Sequence, residues 1–231
     1  MENYSVDRYR QLCAQVAQSA SAAGHGPGAV RLMGVTKTVP AEKVNAYIDA
    51  GLDLIGENRV QEFLDKYPTY HKQGLEIHFI GQLQRNKVKY IVDKVHMIES
   101  VDSLELAREI SKRCAAIGKK MDVLIEVNIG GEASKGGILP GKLTEFLTEI
   151  SSFSGLRVAG LMAIPPISED IAVQKHYFDE MYKLFVDIKD KKIDNVFMET
   201  LSMGMSGDFQ AAIACGSTQV RLGRTLFGAR D

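Results

Sequence analysis

The sequence predicts one α/β domain, a single (β/α)8 TIM barrel over residues 1–231, with residues 1–25 as an extra N-terminal helix packed on it. Three observations carry this. Short apolar, strand-like runs recur eight times along the chain. Helical periodicity fills the gaps between them, as parallel neighbours require, because each parallel connection must cross back over the sheet. No low-complexity linker, charge block or shift of composition divides the chain. A doubly wound open sheet is the main rival, but eight units would make it unusually wide for 231 residues.

Taken in order, residues 4–22 read as an amphipathic helix with Val6, Tyr9, Leu12, Cys13, Val16 and Ala20 along one face. After the loop "AAGHGPG" come the strands "VRLMGVTK" (30–37), "LDLIGEN" (52–58), "EIHFIGQ" (76–82) and "VHMIES" (95–100). "DVLIEVNI" (122–129), "RVAGLMAI" (157–164), "FMETLSMG" (197–204) and "TQVRLG" (218–223) complete the set. Helical faces lie between them: Leu104, Ala107, Ile110, Cys114 and Ile117 form one, and Leu143, Phe146, Leu147 and Ile150 a second. Val173, Tyr177, Met181, Leu184 and Ile188 form a third. The basic run "QRNKVK" (84–89) reads as a solvated helix start.

The totals exclude several classes of function. Hydrophobic residues make up 45% of the chain, enough for a sizeable core. With 28 basic and 29 acidic side chains the net charge is -1, so no nucleic-acid partner is expected. Cys13, Cys114 and Cys215 are scattered and odd in number, forming neither a metal-type pair nor a disulfide framework, which points to a reducing cytoplasm. "MENYSVDRYRQLCAQVAQ" lacks the layout of a signal peptide, and no stretch reaches the roughly 18 apolar residues of a membrane span, so no membrane partner is expected. His25, His71, His78, His96 and His176 show no metal-ligand spacing.

In barrels of this type chemistry sits at the C-terminal ends of the strands. "GVTKTVP" (34–40) puts Lys37 there, on the inward face shared with Met33 and Val35. A lysine at a strand end is ordinarily a solvated charge; in a barrel mouth it becomes a pocket amine able to react with a carbonyl. The topology also places a phosphate site in the loops after strands seven and eight. There the chain has "SMGMSGD" (202–208), with Ser206 and backbone amides at a helix start, and "RLGRTLFG" (221–228), with Gly223 and Arg224 just past the last strand. A pocket amine beside a phosphate site calls for a phosphorylated aldehyde: pyridoxal 5'-phosphate or, less specifically, a sugar phosphate. Lys135, in "GEASKGG", is a second loop amine near the mouth, while Glu57, Glu126 and Glu199 read as carboxylates that pair with Arg or Lys.

"GVTKT", "IGENRVQE", "HFIGQLQRNK", "LSMGMSGDFQAAI" and "GSTQVRLGRTLFG" resemble, in order and over nearly the whole chain, the signature stretches of the pyridoxal phosphate homeostasis protein family. The resemblance implies a barrel of the alanine-racemase type and pyridoxal 5'-phosphate as cofactor, carried by Lys37 as an internal Schiff base. By position it implies that Ser206 and the Gly223–Arg224 amides hold the phosphate, that Arg221 faces the pyridine nitrogen, and that Asn58 lies near the ring substituents. His78 and Met162 become pocket walls. "GVTKTVP" lacks the second lysine that many relatives carry two residues after the first, and Arg224 stands where many have threonine.

The function implied is a cytoplasmic carrier that binds, buffers and delivers the cofactor, with pyridoxal-phosphate-dependent apoenzymes as recipients and a monomer or weak dimer as its state. The rival is an amino-acid racemase or decarboxylase with the same cofactor. A racemase of this fold takes an opposing base from an extra domain, for which a chain ending at Asp231 leaves no room. A lysine Schiff-base aldolase would keep the barrel and phosphate site but has no need of Arg221.

Overall fold

A computed structural model of the chain describes residues 6–133, 135–166, 168 and 170–228. The eight expected strands are present and hydrogen-bond in sequence order into a closed parallel barrel. They are β1 (Arg31–Val35), β2 (Leu54–Glu57), β3 (Glu76–Phe79), β4 (Met97–Val101), β5 (Met121–Glu126), β6 (Leu156–Met162), β7 (Val196–Ser202) and β8 (Gln219–Leu222). Closure runs from β1 to β8 in the register Arg31↔Gln219, Leu32↔Val220, Met33↔Arg221 and Gly34↔Leu222.

Most strands are buried on both faces, as in a parallel sheet covered by its own crossovers, while the first half of β7 exposes Phe197 and Glu199. Their inner faces form two apolar clusters, Met33, Val35, Leu54 and Ile80 in one and Leu124, Ala159 and Met162 in the other, with Met97 against the second. Their outer faces join the helices in one continuous core that includes Phe63, Phe79, Phe178 and Met181.

The helices are amphipathic for the same reason. The first, α1 (Asp7–Ala22), buries Leu12, Val16 and Ala20, a repeat of four that marks one side of a helix. The first two residues of the helix expected over 4–22 lie outside the described residues. The Tyr9 hydroxyl donates to the Gly51 carbonyl at 2.8 Å and ties α1 to the end of α2 (Ala41–Asp49). Three more helices are α3 (Val60–Lys66), α4 (Leu104–Ala116) and α5 (Leu143–Ile150). The longest, α6 (Ile171–Lys191), buries Phe178, Met181, Phe185 and Ile188; Asp170 caps it by accepting from the Ala172 N–H at 2.8 Å. Two short helices, α7 (Phe209–Ala214) and α8 (Arg224–Phe227), follow the last two strands. Among the described residues no helix is long and apolar enough to cross a membrane.

The run "QRNKVK" does start a helix, of the 3₁₀ type: between β3 and β4 the chain makes a 3₁₀ helix over Arg85–Tyr90. Gln84 enters it in extended backbone, and Lys87 N–H to Gln84 O (2.9 Å) and Ile91 N–H to Val88 O (3.1 Å) close tight three-residue turns. Val88 plugs the core, while the Lys87 and Lys89 ammonium groups lie over the Tyr90 ring at 5.7 and 4.9 Å. In a short link the single buried anchor and the charge-covered ring set the shape, and helical propensity does not.

Candidate functional site

The barrel interior is not apolar throughout. Glu99, on β4, is completely buried and receives three partners from other strands. His78 Nδ1 of β3 lies 2.6 Å from Glu99 Oε1, Gln219 Nε2 of β8 donates to the same oxygen at 2.7 Å, and Ser202 Oγ of β7 donates to Oε2 at 2.7 Å. Arg221, two residues on from Gln219, faces the same interior. Its Nη1 donates to Ser202 O and Ser202 Oγ, both at 2.7 Å, and its Nη2 to Ala163 O at 2.8 Å. On the other side His78 Nε2 lies 3.5 Å from Glu76, which pairs with Arg31 at 2.8 Å. The result is a continuous polar chain from Arg31 at the start of β1, through Glu76, His78, Glu99 and Ser202, to Arg221.

The charges in this chain support one another. Burial by itself favours neutral Glu99, but His78, Arg221 and the Ser202 hydroxyl outweigh it and hold the carboxyl below the usual range. Burial alone would lower His78, yet the two flanking carboxylates raise it. Burial lowers Arg221, opposed by Glu99, Glu126 and Asp208, and the guanidinium stays cationic. Of its five N–H donors three are committed to fixed partners, so at most two can meet a ligand.

Lys37 follows β1 and is half-buried. Thr36 before it is fully buried and bonds across to β2 through its N–H and its hydroxyl, both donating to Gly56 O (3.1 and 3.2 Å). Thr38 after it has φ 61°, a left-handed conformation that costs a β-branched residue roughly 1–3 kcal/mol. Asn58 follows β2, the neighbouring strand, and its Oδ1 is buried with no hydrogen-bond partner. The turn after β3 closes on it so tightly that a Cβ at Gly81 would lie 2.1 Å from the Asn58 carbonyl oxygen. A buried, unpaired acceptor at the end of the strand next to that of a half-buried amine is a feature a ligand can complete.

Across the mouth, the segment after β7 is held by Gly204, whose φ of 94° favours glycine and whose carbonyl accepts the Arg221 N–H at 3.0 Å. The Asp208 carboxyl accepts the Met205 N–H at 2.5 Å; burial pushes its pKa up, against the pull of the Met205 N–H and Arg221. Ser206 Oγ receives the Thr225 hydroxyl at 2.9 Å and the Thr225 N–H at 3.3 Å, which joins this turn to the start of α8. Gly223 caps α8 and Arg224 begins it with an exposed side chain.

Of the residues singled out in the sequence, Lys37, Asn58, Ser206, Gly223 and Arg224 all lie beyond strand C-termini, and Arg221 lies inside the barrel next to that end. Met162, the last residue of β6, is buried in the inner apolar cluster. His78 is an inner member of the polar chain, with both ring nitrogens turned to carboxylates. Lys135 is exposed and paired with Glu132 at 2.5 Å. Glu57 pairs with Lys66 and Glu199 with Arg157, while Glu126 is raised by burial, then by repulsion from Asp102, with Arg221 opposing. Thr225 and Asp208 were not singled out. Their only sequence signal is proximity to the two glycine-rich turns.

Residues 9–231 match the family model described as the N-terminal domain of alanine racemase. The chain is 43% identical to the pyridoxal phosphate homeostasis protein of Aquifex aeolicus over 226 residues, 98% of each chain. It is also similar to a solved structure of an unknown protein from Bifidobacterium adolescentis, at 36% identity and a TM-score of 0.90, covering 96% of this chain and 94% of that one. A third similarity is to PipY of Synechococcus elongatus PCC7942 solved with PLP bound, at 30% identity and a TM-score of 0.80, covering 93% and 100%.

The chain of charges has a measurable pH signature. Because the folded-state pKa of His78 is raised above 6.5, its contribution to stability is complete below that value and is lost as pH rises through the folded pKa. Urea unfolding should therefore show wild-type stability falling relative to His78→Gln as pH is raised from about 6.5 into the alkaline range. Parallel curves for the two proteins across that window would mean that His78 is not held as a cation.

Proposed function

The chain belongs to the pyridoxal phosphate homeostasis family, built on the alanine racemase N-terminal domain, and on that premise we propose that its barrel mouth holds pyridoxal 5'-phosphate with Lys37 as the anchor. The function is that of a cofactor-binding protein in intracellular vitamin B6 homeostasis. When bound, the cofactor supplies an aldehyde that condenses with a lysine amine with loss of water. The observation that carries the reading is Arg221, a buried guanidinium fixed by Ala163 and Ser202 on the strand adjacent to that of Lys37.

The residues present fit such a group. Lys37 offers an amine, Asn58 an unpaired acceptor for a ring substituent, and Met162 an apolar wall. The Ser206 hydroxyl, already aligned by Thr225, and the backbone amides of Gly223 and Arg224 form the phosphate cradle. The exposed Arg224 side chain adds charge at its rim. His78 and Glu99 act from below, through Ser202 and Gln219, by holding Arg221 in place.

Arg221 also favours holding over turnover. Its guanidinium is a pure donor and retains its charge, so it leaves an aromatic nitrogen opposite it hydrogen-bonded but unprotonated. That arrangement withdraws electrons less strongly than the carboxylate-paired pyridinium of an enzyme built for carbanion chemistry. The protein thus buffers the cofactor and passes it to pyridoxal-phosphate-dependent apoenzymes in the cytoplasm, without robust turnover of its own.

The purified protein should be yellow, and borohydride reduction followed by peptide mapping should mark Lys37; a label on Lys135 with Lys37 unmodified would remove the assignment. Lys37→Ala should be colourless yet folded by circular dichroism, since a half-buried strand-end amine adds little to the core.

Ser206→Ala should weaken cofactor retention by about 1.5–3 kcal/mol, the scale of one charge-assisted hydrogen bond. In a dialysis or fluorescence titration, pyridoxal without its phosphate should also bind much more weakly. Equal affinity for pyridoxal and its phosphate would rule out the cradle.

A further inference from the structure

The backbone that carries Lys37 is held from outside the barrel by a second lysine. Lys66, the last residue of α3, has a side chain only 12% exposed. Its Nζ donates to Thr36 O at 2.9 Å and to Val39 O at 3.4 Å, two carbonyls that bracket Lys37. The same ammonium pairs with Glu62 Oε1 at 2.8 Å and with Glu57 Oε1 at 3.3 Å. Glu62 Oε1 in turn accepts the Thr38 N–H at 2.6 Å. Behind them the Tyr70 hydroxyl donates to Glu57 Oε1 at 2.5 Å, and the second oxygen of Glu57 is buried without a hydrogen-bond partner.

This cluster exceeds what docking α3 requires. Phe63, fully buried on the same helix, already anchors α3 by apolar contact. An ammonium drawn out of water gains little over an apolar residue for docking alone. What the ammonium and Glu62 reach is backbone, on both sides of Lys37. Burial works against ionisation of Glu62, but Lys66 and the Thr38 N–H outweigh it and hold its pKa below the ordinary carboxylate value. Thr38 is β-branched and left-handed, at φ 61°, a conformation that persists only where the surroundings impose it. Strain of this kind, held by a charged clamp next to a reactive side chain, fits pre-organisation of that side chain.

We propose that Lys66, acting with Glu62, is a positioning residue that fixes the turn around Lys37 and so aims its amine into the barrel mouth. The inference rests on the reading of Lys37 as the cofactor anchor. Aim matters for bond formation with a carbonyl and not for binding the phosphate and the ring nitrogen, which use the opposite side of the mouth.

Two probes separate these contributions. Pyridoxal 5'-phosphate carries the aldehyde; pyridoxamine 5'-phosphate has the same ring and phosphate but nothing that condenses with a lysine. Lost aim lowers the effective concentration of the amine at the carbonyl, so Lys66→Met and Glu62→Ala should each weaken the aldehyde ligand about 10–100-fold and leave the amine ligand within about twofold. Glu62→Gln, which keeps an acceptor for the Thr38 N–H, should recover most of the loss. Equal weakening of both ligands would mark the cluster as merely structural, and unchanged affinity for the aldehyde in both variants would overturn the proposal outright. If Lys66→Met does not fold, Glu62→Ala alone decides, because its side chain is partly exposed. Wild-type protein that binds the two probes equally would instead refute Lys37 as the anchor, a failure distinguishable from the failure of the clamp.

Discussion

A carboxylate with no exposure to water, placed inside a barrel, constrains everything around it. Glu99 persists as an anion only because β3, β7 and β8 each deliver a donor to it, and losing one partner of such a buried group typically costs about 3–5 kcal/mol. A slip of one residue in any of these strands would turn its donor to the outer face, where apolar helices pack. The polar chain therefore fixes strand register as well as charge. Arg221 inherits that precision: it is held through Ser202, which Glu99 holds, and its remaining donors point where those contacts leave them.

The barrel was legible in the sequence because its cause is local. Strands such as "RLMGV" and "LIGE" are short apolar runs between turn residues, and the faces of α4, α5 and α6 repeat at helical spacing. Lys37, Ser206 and Gly223 could be picked out for a related reason, since the topology dictates where strand ends lie. The interior network was not legible. Glu99 and Gln219 are 120 residues apart and Glu99 and Ser202 are 103 apart, and no local pattern couples them. His78 reads in the sequence as a pocket wall, and the carboxylates on either side of it become visible only in the fold. The left-handed backbone of Thr38 is equally hidden, because the groups bonded around it, Glu62 and Lys66, come from another helix. The helix start in "QRNKVK" is legible, but its 3₁₀ form is not, because nothing local marks Val88 as its buried residue.

The two sides of the mouth are built differently, and the difference bears on function. On the β1–β2 side, a half-buried amine follows β1 and a buried amide oxygen without a hydrogen-bond partner follows β2. On the β7–β8 side, hydroxyl, backbone and guanidinium groups are already bonded to each other and need little rearrangement. Pre-organised donors favour tight retention of a phosphorylated ring, because ordering costs are met during folding. On the proposed reading, a reversible bond at the amine would add retention that a recipient protein's lysine could relieve by exchange. On the proposed reading, an arginine in place of an acid opposite the ring nitrogen would give weak help to carbanion chemistry.

Holding without turnover is the central claim, and exchange of the α-hydrogen of alanine or serine in deuterated water tests it most directly. Mass spectrometry of the amino acid after incubation with cofactor-loaded protein should show exchange far below an enzymatic rate of about 1 s⁻¹, while the same protein reactivates a pyridoxal-phosphate-dependent apoenzyme. Exchange at that rate or faster, lost in Lys37→Ala, would contradict the account and make the protein an enzyme.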